Sequence, residues 1–97
     1  MNDSSQITLR VAITGRVQGV SYRFWTQKRA MALGVTGWVR NRRDGSVEAV
    51  FKGARDAVDQ LVQDCQDGPT LAKVTGVETV ADAYDGPAEF LVEPILD

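Results

Sequence analysis

The residues best equipped for chemistry lie together in Gly15-Arg16-Val17-Gln18-Gly19-Val20-Ser21-Tyr22-Arg23. Glycines let a turn adopt positive φ, so that successive backbone N–H groups can converge on one anion. A helix that starts at such a turn adds the positive end of its dipole. Arg23, in the first helical turn, supplies a planar guanidinium able to grip two phosphate oxygens, and one such charge-assisted contact is worth roughly 1.5–3 kcal/mol. The stretch lacks the Gly-Lys-Ser/Thr of a Walker loop and the Gly-x-Gly-x-x-Gly of a dinucleotide fold. Taken alone, it reads equally well as an ordinary glycine turn beside a solvated arginine.

The missing residue types narrow the chemistry. The 97-residue chain has no histidine, which excludes Ser-His and Cys-His nucleophile pairs. It has one cysteine, Cys65, and no His/Cys cluster for zinc. Past the first six residues, the first half of the chain holds only Asp44 and Glu48 as carboxylates. A two-carboxylate mechanism or a carboxylate-held Mg²⁺ is not expected there.

A second stretch gives the first one a context. Gly37-Trp38-Val39-Arg40-Asn41, three residues, Gly45-Ser46-Val47, five residues and Gly53 follow in order. Together the two stretches resemble the two signatures of the acylphosphatase family. The first signature is similar to Gly-x-Val-Gln-Gly-Val followed by an aromatic or Met and then Arg, and the second to Gly-aromatic-Val-basic-Asn…Gly-x-Val…Gly. One departure is Tyr22, where Phe or Met is more usual; its hydroxyl needs a partner. The resemblance covers the chain beyond its first six residues. It implies metal-free hydrolysis of small acyl phosphates to carboxylate and phosphate, with no cofactor and with catalytic roles for Arg23 and Asn41.

The residues suit that reaction. An acyl phosphate is a mixed anhydride with a good carboxylate leaving group, so no general acid is required. Phosphoryl transfer depends mainly on placing the groups and stabilising the equatorial oxygens. Backbone N–H groups around Gln18, Gly19 and Val20 are expected to hold the phosphoryl oxygens. Arg23 neutralises them, and the Asn41 amide places the attacking water. Arg40, Arg42 and Arg43 are expected to shape the field without touching the phosphate.

Period and punctuation define the elements that must position these groups. Ile7 to Thr14 alternates like a half-buried strand. A helix is expected from Tyr22 or Arg23 to Leu33, with Tyr22, Thr26, Ala30 and Leu33 on one face and Gly34 as the stop. Val35 to Arg42 and Ser46 to Lys52 read as a hairpin turned by Arg43-Asp44-Gly45. A second helix spans about 54–66, with Cys65 as a small buried hydrophobe on its apolar stripe. A fourth strand covers Val74 to about Ala81, and a short fifth covers Phe90 to Glu93, at an edge or ended by Pro94. This order fits an α+β sandwich, two helices on one face of a mainly antiparallel sheet. The resemblance implies a ferredoxin-like βαββαβ arrangement with strand order 4-1-3-2 and a short extra C-terminal strand.

Composition bounds the rest. The length allows a single domain over 7–97, preceded by a flexible polar tail over 1–6. Residues 1–53 hold nine Lys/Arg against three Asp/Glu, and residues 54–97 hold two against ten. A small anion is therefore drawn to the signature half, while the acidic half argues against nucleic acid. A single cysteine and no membrane-length apolar run fit a cytoplasmic protein without a membrane partner. A monomer is expected, with phosphate or sulfate able to occupy the site. Two rival readings remain open from the sequence. One is a non-catalytic anion- or RNA-binding module on the same layout. The other is a carbamoyl-phosphate-handling domain of a larger protein.

Overall fold

The computed structural model describes residues 5–95. The element order is β1 (Gln6–Arg16), α1 (Tyr22–Leu33), β2 (Thr36–Asn41), β3 (Val47–Ala54), α2 (Arg55–Cys65), β4 (Lys73–Ala81) and β5 (Phe90–Val92). The strands form one sheet in the order β4-β1-β3-β2-β5. The pairs β1–β3, β1–β4 and β2–β3 are antiparallel, and β5 adds to the edge beside β2 in parallel. This is the expected ferredoxin-like order with the extra strand placed next to β2.

The alternation in β1 sets the layers. Val11 and Ile13 are fully buried and sit opposite Ala49 and Val47, which are fully buried too. Phe51 and Val39 continue the same face. The helices close over it with Tyr22, Thr26 and Ala30 from α1 and Val58, Leu61 and Cys65 from α2. The larger apolar side chains among them, such as Ile13, Phe51, Val58 and Leu61, each contribute roughly 1.5–3 kcal/mol when removed from water. The Tyr22 hydroxyl donates to the Cys65 carbonyl at 2.6 Å, so the departure from the family pattern has a partner and ties α1 to α2. Burial pushes the Cys65 thiol up to about 12 and raises the Tyr22 phenol as well; both stay neutral.

Several boundaries differ from expectation, each for a local reason. Of the tail expected over 1–6, residues 1–4 lie outside the described residues. The other two are engaged: the Ser5 carbonyl accepts the Arg55 N–H at 3.0 Å, and Gln6 pairs with Ala54. At its other end β1 runs two residues beyond Thr14, because a register shift between Thr14 and Gly15 lets pairing with β4 resume. β2 begins at Thr36, since the Val35 N–H is spent on the Ala30 carbonyl (2.8 Å) and the Gly34 N–H on that of Met31 (3.2 Å). These two bonds are a Schellman ending for α1.

The sheet face without helices also holds a surprise. Glu48 and Val50 point away from the core, yet they are only 5% and 2% exposed. Arginines from the neighbouring strands cover Glu48, and Val50 lies between Arg10 and Trp38 in the sheet register. Glu48 Oε1 accepts from Arg40 at 2.8–2.9 Å, and Arg10 approaches Oε2 at 3.5 Å. The Arg40 guanidinium lies 4.6 Å over the Trp38 ring.

The bulge aims the loop that follows it. Gly15 has φ 116, and a Cβ there would sit 2.2 Å from the Lys73 carbonyl oxygen and 2.7 Å from the Thr75 nitrogen. Both obstacles are backbone in β4, so they cannot swing aside. Gly15→Ala is expected to lower the unfolding free energy by about 2 kcal/mol or more in urea titration. A loss below about 0.5 kcal/mol, the usual range for neutral surface changes, would show that the bulge is not the constraint described.

Candidate active site

Between β1 and α1 the chain is pinned at alternating points. Val17, Val20 and Tyr22 are buried, at 1%, 6% and 2% exposure. Gly19 and Ser21 stay outside with φ 75 and φ 65. Ser21 has the one positive φ outside glycine among the described residues. A left-handed backbone at such a residue costs about 1–2 kcal/mol. A serine at a helix N-cap ordinarily accepts an N–H from the first turn. Here it makes no side-chain cap. The first N–H of this segment to find a backbone acceptor is that of Trp25, which donates to the Ser21 carbonyl at 3.0 Å. Among the described residues, the N–H groups from Gln18 to Phe24 have no backbone acceptor. The anchored side chains thus fix a curve of open donors at the start of α1, which is the geometry that holds an anion.

Gln18, Gly19, Ser21, Arg23 and Phe24 of this segment line a cleft of about 240 Å³ together with Asn41. Arg23 is half-buried and forms no ion pair among the described residues. Arg10, Arg29 and Arg40, by contrast, are bound to Asp82, Asp64 and Glu48. Asn41 closes β2, and its Oδ1 is buried without a hydrogen-bond partner among the described residues. An unsatisfied buried acceptor costs about 1–3 kcal/mol, so this atom marks where a partner belongs. Val20 turns its side chain into the core and is not among the residues that line the cleft.

Gln18 does more than sequence reasoning assigned to it. Its side-chain amide donates to the Arg42 carbonyl at 2.8 Å and to the Ser46 carbonyl at 2.9 Å. Those residues flank Asn41 and its partner Val47 at the end of the hairpin. One side chain therefore straps the donor loop to the segment that carries Asn41. The hairpin is also closed from within: the Gly45 N–H donates to the Arg42 carbonyl, and Asp44 Oδ1 accepts the Ser46 hydroxyl (2.6 Å) and N–H (2.9 Å). Sequence reading also missed Ser21 and Phe24, which line the cleft. A serine at a helix start signals a cap, the opposite of what Ser21 does. Phe24 carried no signal beyond being an aromatic next to Arg23.

A ferredoxin-like sheet here carries a cationic cleft with open N–H groups at its first strand-to-helix turn, an arrangement suited to a small anion. The chain belongs to the acylphosphatase family, whose family model matches residues 9–92. It is 50% identical over 88 residues to an acylphosphatase of Nitrobacter hamburgensis, covering 91% of this chain and 87% of that one. It is 47% identical over 93 residues to one from Rhizobium etli, covering 95% and 98%. The fold superposes on the structure of an acylphosphatase from Coxiella burnetii with a TM-score of 0.88 at 33% identity, over 96% of this chain and all of the other.

The hairpin closure gives a pH dependence. The Ser46 hydroxyl, and then its N–H, hold the Asp44 carboxyl below its usual range. A depressed folded pKa contributes stability that is present above the unfolded value of about 3.9 and is lost as pH falls through the folded value. Wild type is therefore expected to melt above Asp44→Ala at pH 7, with the gap narrowing below about pH 4. Parallel thermal melts at pH 7 and pH 3 check it; a gap that widens in acid would contradict it.

Proposed function

We propose that the protein hydrolyses small acyl phosphates by in-line attack of water on phosphorus, without a metal, with Arg23 and Asn41 as catalytic residues. The N–H groups around Gln18, Gly19 and Val20 and the Arg23 guanidinium bind the phosphoryl oxygens. Charge on these oxygens is redistributed in the transition state, where fixed donors act most strongly. Asn41 accepts a proton of the attacking water in a hydrogen bond, which turns the water's lone pair toward phosphorus. The last torsion of an amide is soft, so Oδ1 can rotate onto an entering water. The new P–O bond forms as the bond to the acyl oxygen breaks. The carboxylate leaves with the electron pair, and the water's proton passes to a phosphoryl oxygen. Carboxylate and phosphate are the products, and neither a general acid nor a general base is required.

The observation that carries this reading is the meeting in one cleft of open N–H donors, an Arg23 with no ion pair and an Asn41 Oδ1 with no hydrogen-bond partner among the described residues. Inorganic phosphate or sulfate is expected to bind the same donors. We assign a cytoplasmic monomer, a reading that rests on the single buried, unpaired Cys65 and on one continuous core. Nucleic acid is a poor fit. Phe51 faces the core, and on the open sheet face the Trp38 ring is covered by the Arg40 guanidinium, which is itself paired with Glu48.

The test is hydrolysis of benzoyl phosphate with EDTA present, with circular dichroism to confirm folding. Arg23→Ala and Asn41→Ala are each expected to lose about 100-fold or more in kcat/KM, roughly 2.7 kcal/mol of transition-state stabilisation. A folded wild type no faster than buffer on benzoyl and carbamoyl phosphates would end the hydrolase reading. Activity abolished by EDTA would end the metal-free mechanism alone.

A further inference from the structure

We propose that Phe24 is a specificity-determining residue that receives the acyl part of the substrate and favours aromatic or bulky apolar acyl groups over acetyl or carbamoyl. The proposal rests on the acyl phosphate reading above.

The cleft holds more than a phosphoryl group requires. Its volume is about 240 Å³, against roughly 30 Å³ for one water in the liquid. Three of its lining residues are large and apolar. Val17 and Tyr22 are 1% and 2% exposed, so they offer a ligand almost nothing. Phe24 is 61% exposed. The first turn of α1 thus sends Tyr22 inward to the Cys65 carbonyl and leaves Phe24 outside, at the mouth of the cleft.

Exposing an aromatic ring leaves apolar surface in water, which a ligand can cover. The ring is also held in a relation to the phosphoryl end. The Arg23 guanidinium carbon lies 5.8 Å from its centroid. A phosphoryl oxygen gripped by Arg23 sits about 2.8 Å from a guanidinium nitrogen. The acyl carbon is bonded to the bridging oxygen of the same phosphoryl group. In-line geometry sets the leaving carboxylate opposite the water at Asn41, away from the end of β2 and toward solvent. An acyl group of one or two carbons is too short to lie over the ring, whereas an aryl group can. Ring–ring contact of this kind is worth about 0.5–1.5 kcal/mol, which corresponds to about 2- to 13-fold in rate.

The experiment compares kcat/KM for benzoyl phosphate and acetyl phosphate in wild type, Phe24→Ala and Phe24→Tyr. Phe24 is exposed, so neither variant disturbs the core. The benzoyl-to-acetyl ratio is expected to fall about five-fold in Phe24→Ala, mostly through KM for benzoyl phosphate, and to be kept in Phe24→Tyr. An equal loss on both substrates would assign the ring to steadying Arg23 and overturn the proposal. So would an unchanged ratio, or a fall in Phe24→Tyr as large as that in Phe24→Ala. Wild type inactive on both substrates would instead overturn the hydrolase reading, and this inference with it.

Discussion

The antiparallel pairing of β1 with β3, which sets Ile13 opposite Val47, decides where everything else in the site can lie. Because β3 pairs on its other side with β2, the same register places Asn41 opposite Val47. The chain leaving β1 therefore emerges beside the residue that ends β2. Only from there can Gln18 reach the Arg42 and Ser46 carbonyls. A slip of one residue would turn Val11 and Ile13 to the opposite face and carry the loop away from the hairpin. The buried faces of Val47, Ala49 and Phe51 make that slip prohibitive, so the core enforces the site's geometry at a distance.

The site itself contains what a stable fold would avoid. Ser21 is held left-handed, a run of N–H groups goes without backbone acceptors, Arg23 has no ion pair among the described residues, and Asn41 Oδ1 is orphaned. The left-handed Ser21 and the buried, partnerless Oδ1 are unfavourable in the free protein, and an anion with its water would give the open donors, Arg23 and Oδ1 their partners. The surroundings over-determine the loop instead. Val17, Val20 and Tyr22 are driven into the core, and Tyr22 is fixed again by its hydroxyl. The β4 backbone packs so close to Gly15 that the bulge admits no side chain. Strain concentrated among strong anchors is how a binding geometry persists in the absence of its ligand.

What could be read from the sequence follows the range of the forces involved. Alternation in Ile7 to Thr14 and the glycine stops are local, and they placed the strands and helices to within a few residues. The two signatures pointed to Arg23 and Asn41 as partners, and the structure brings both to one cleft. Features that depend on register were out of reach. Gln18 bonds to backbone carbonyls, which leave no trace in residue types. The burial of Glu48 was out of reach for the same reason, because its covering arginines, Arg10 and Arg40, belong to two other strands. The parallel pairing of β5 with β2 rests on three residues, too few for a pattern.

Charge shows the same limit and refines the functional argument. Counted along the chain, the first half carries a surplus of six positive charges, which by itself would suit a polyanion as well as a small anion. Folding spends part of the basic charge internally: Arg40 is held by Glu48 of the same half, and Arg10 and Arg29 are neutralised by Asp82 and Asp64 from the acidic half. What faces the cleft is Arg23 with a cluster of backbone dipoles. A single fixed cation beside convergent N–H groups complements one compact anion, and it offers nothing to a chain of phosphates spaced along a groove. By pairing Arg10, Arg29 and Arg40 elsewhere, the fold leaves Arg23 as the cation that lines the cleft, and on the proposed reading the exposed Phe24 at its open side discriminates among acyl groups.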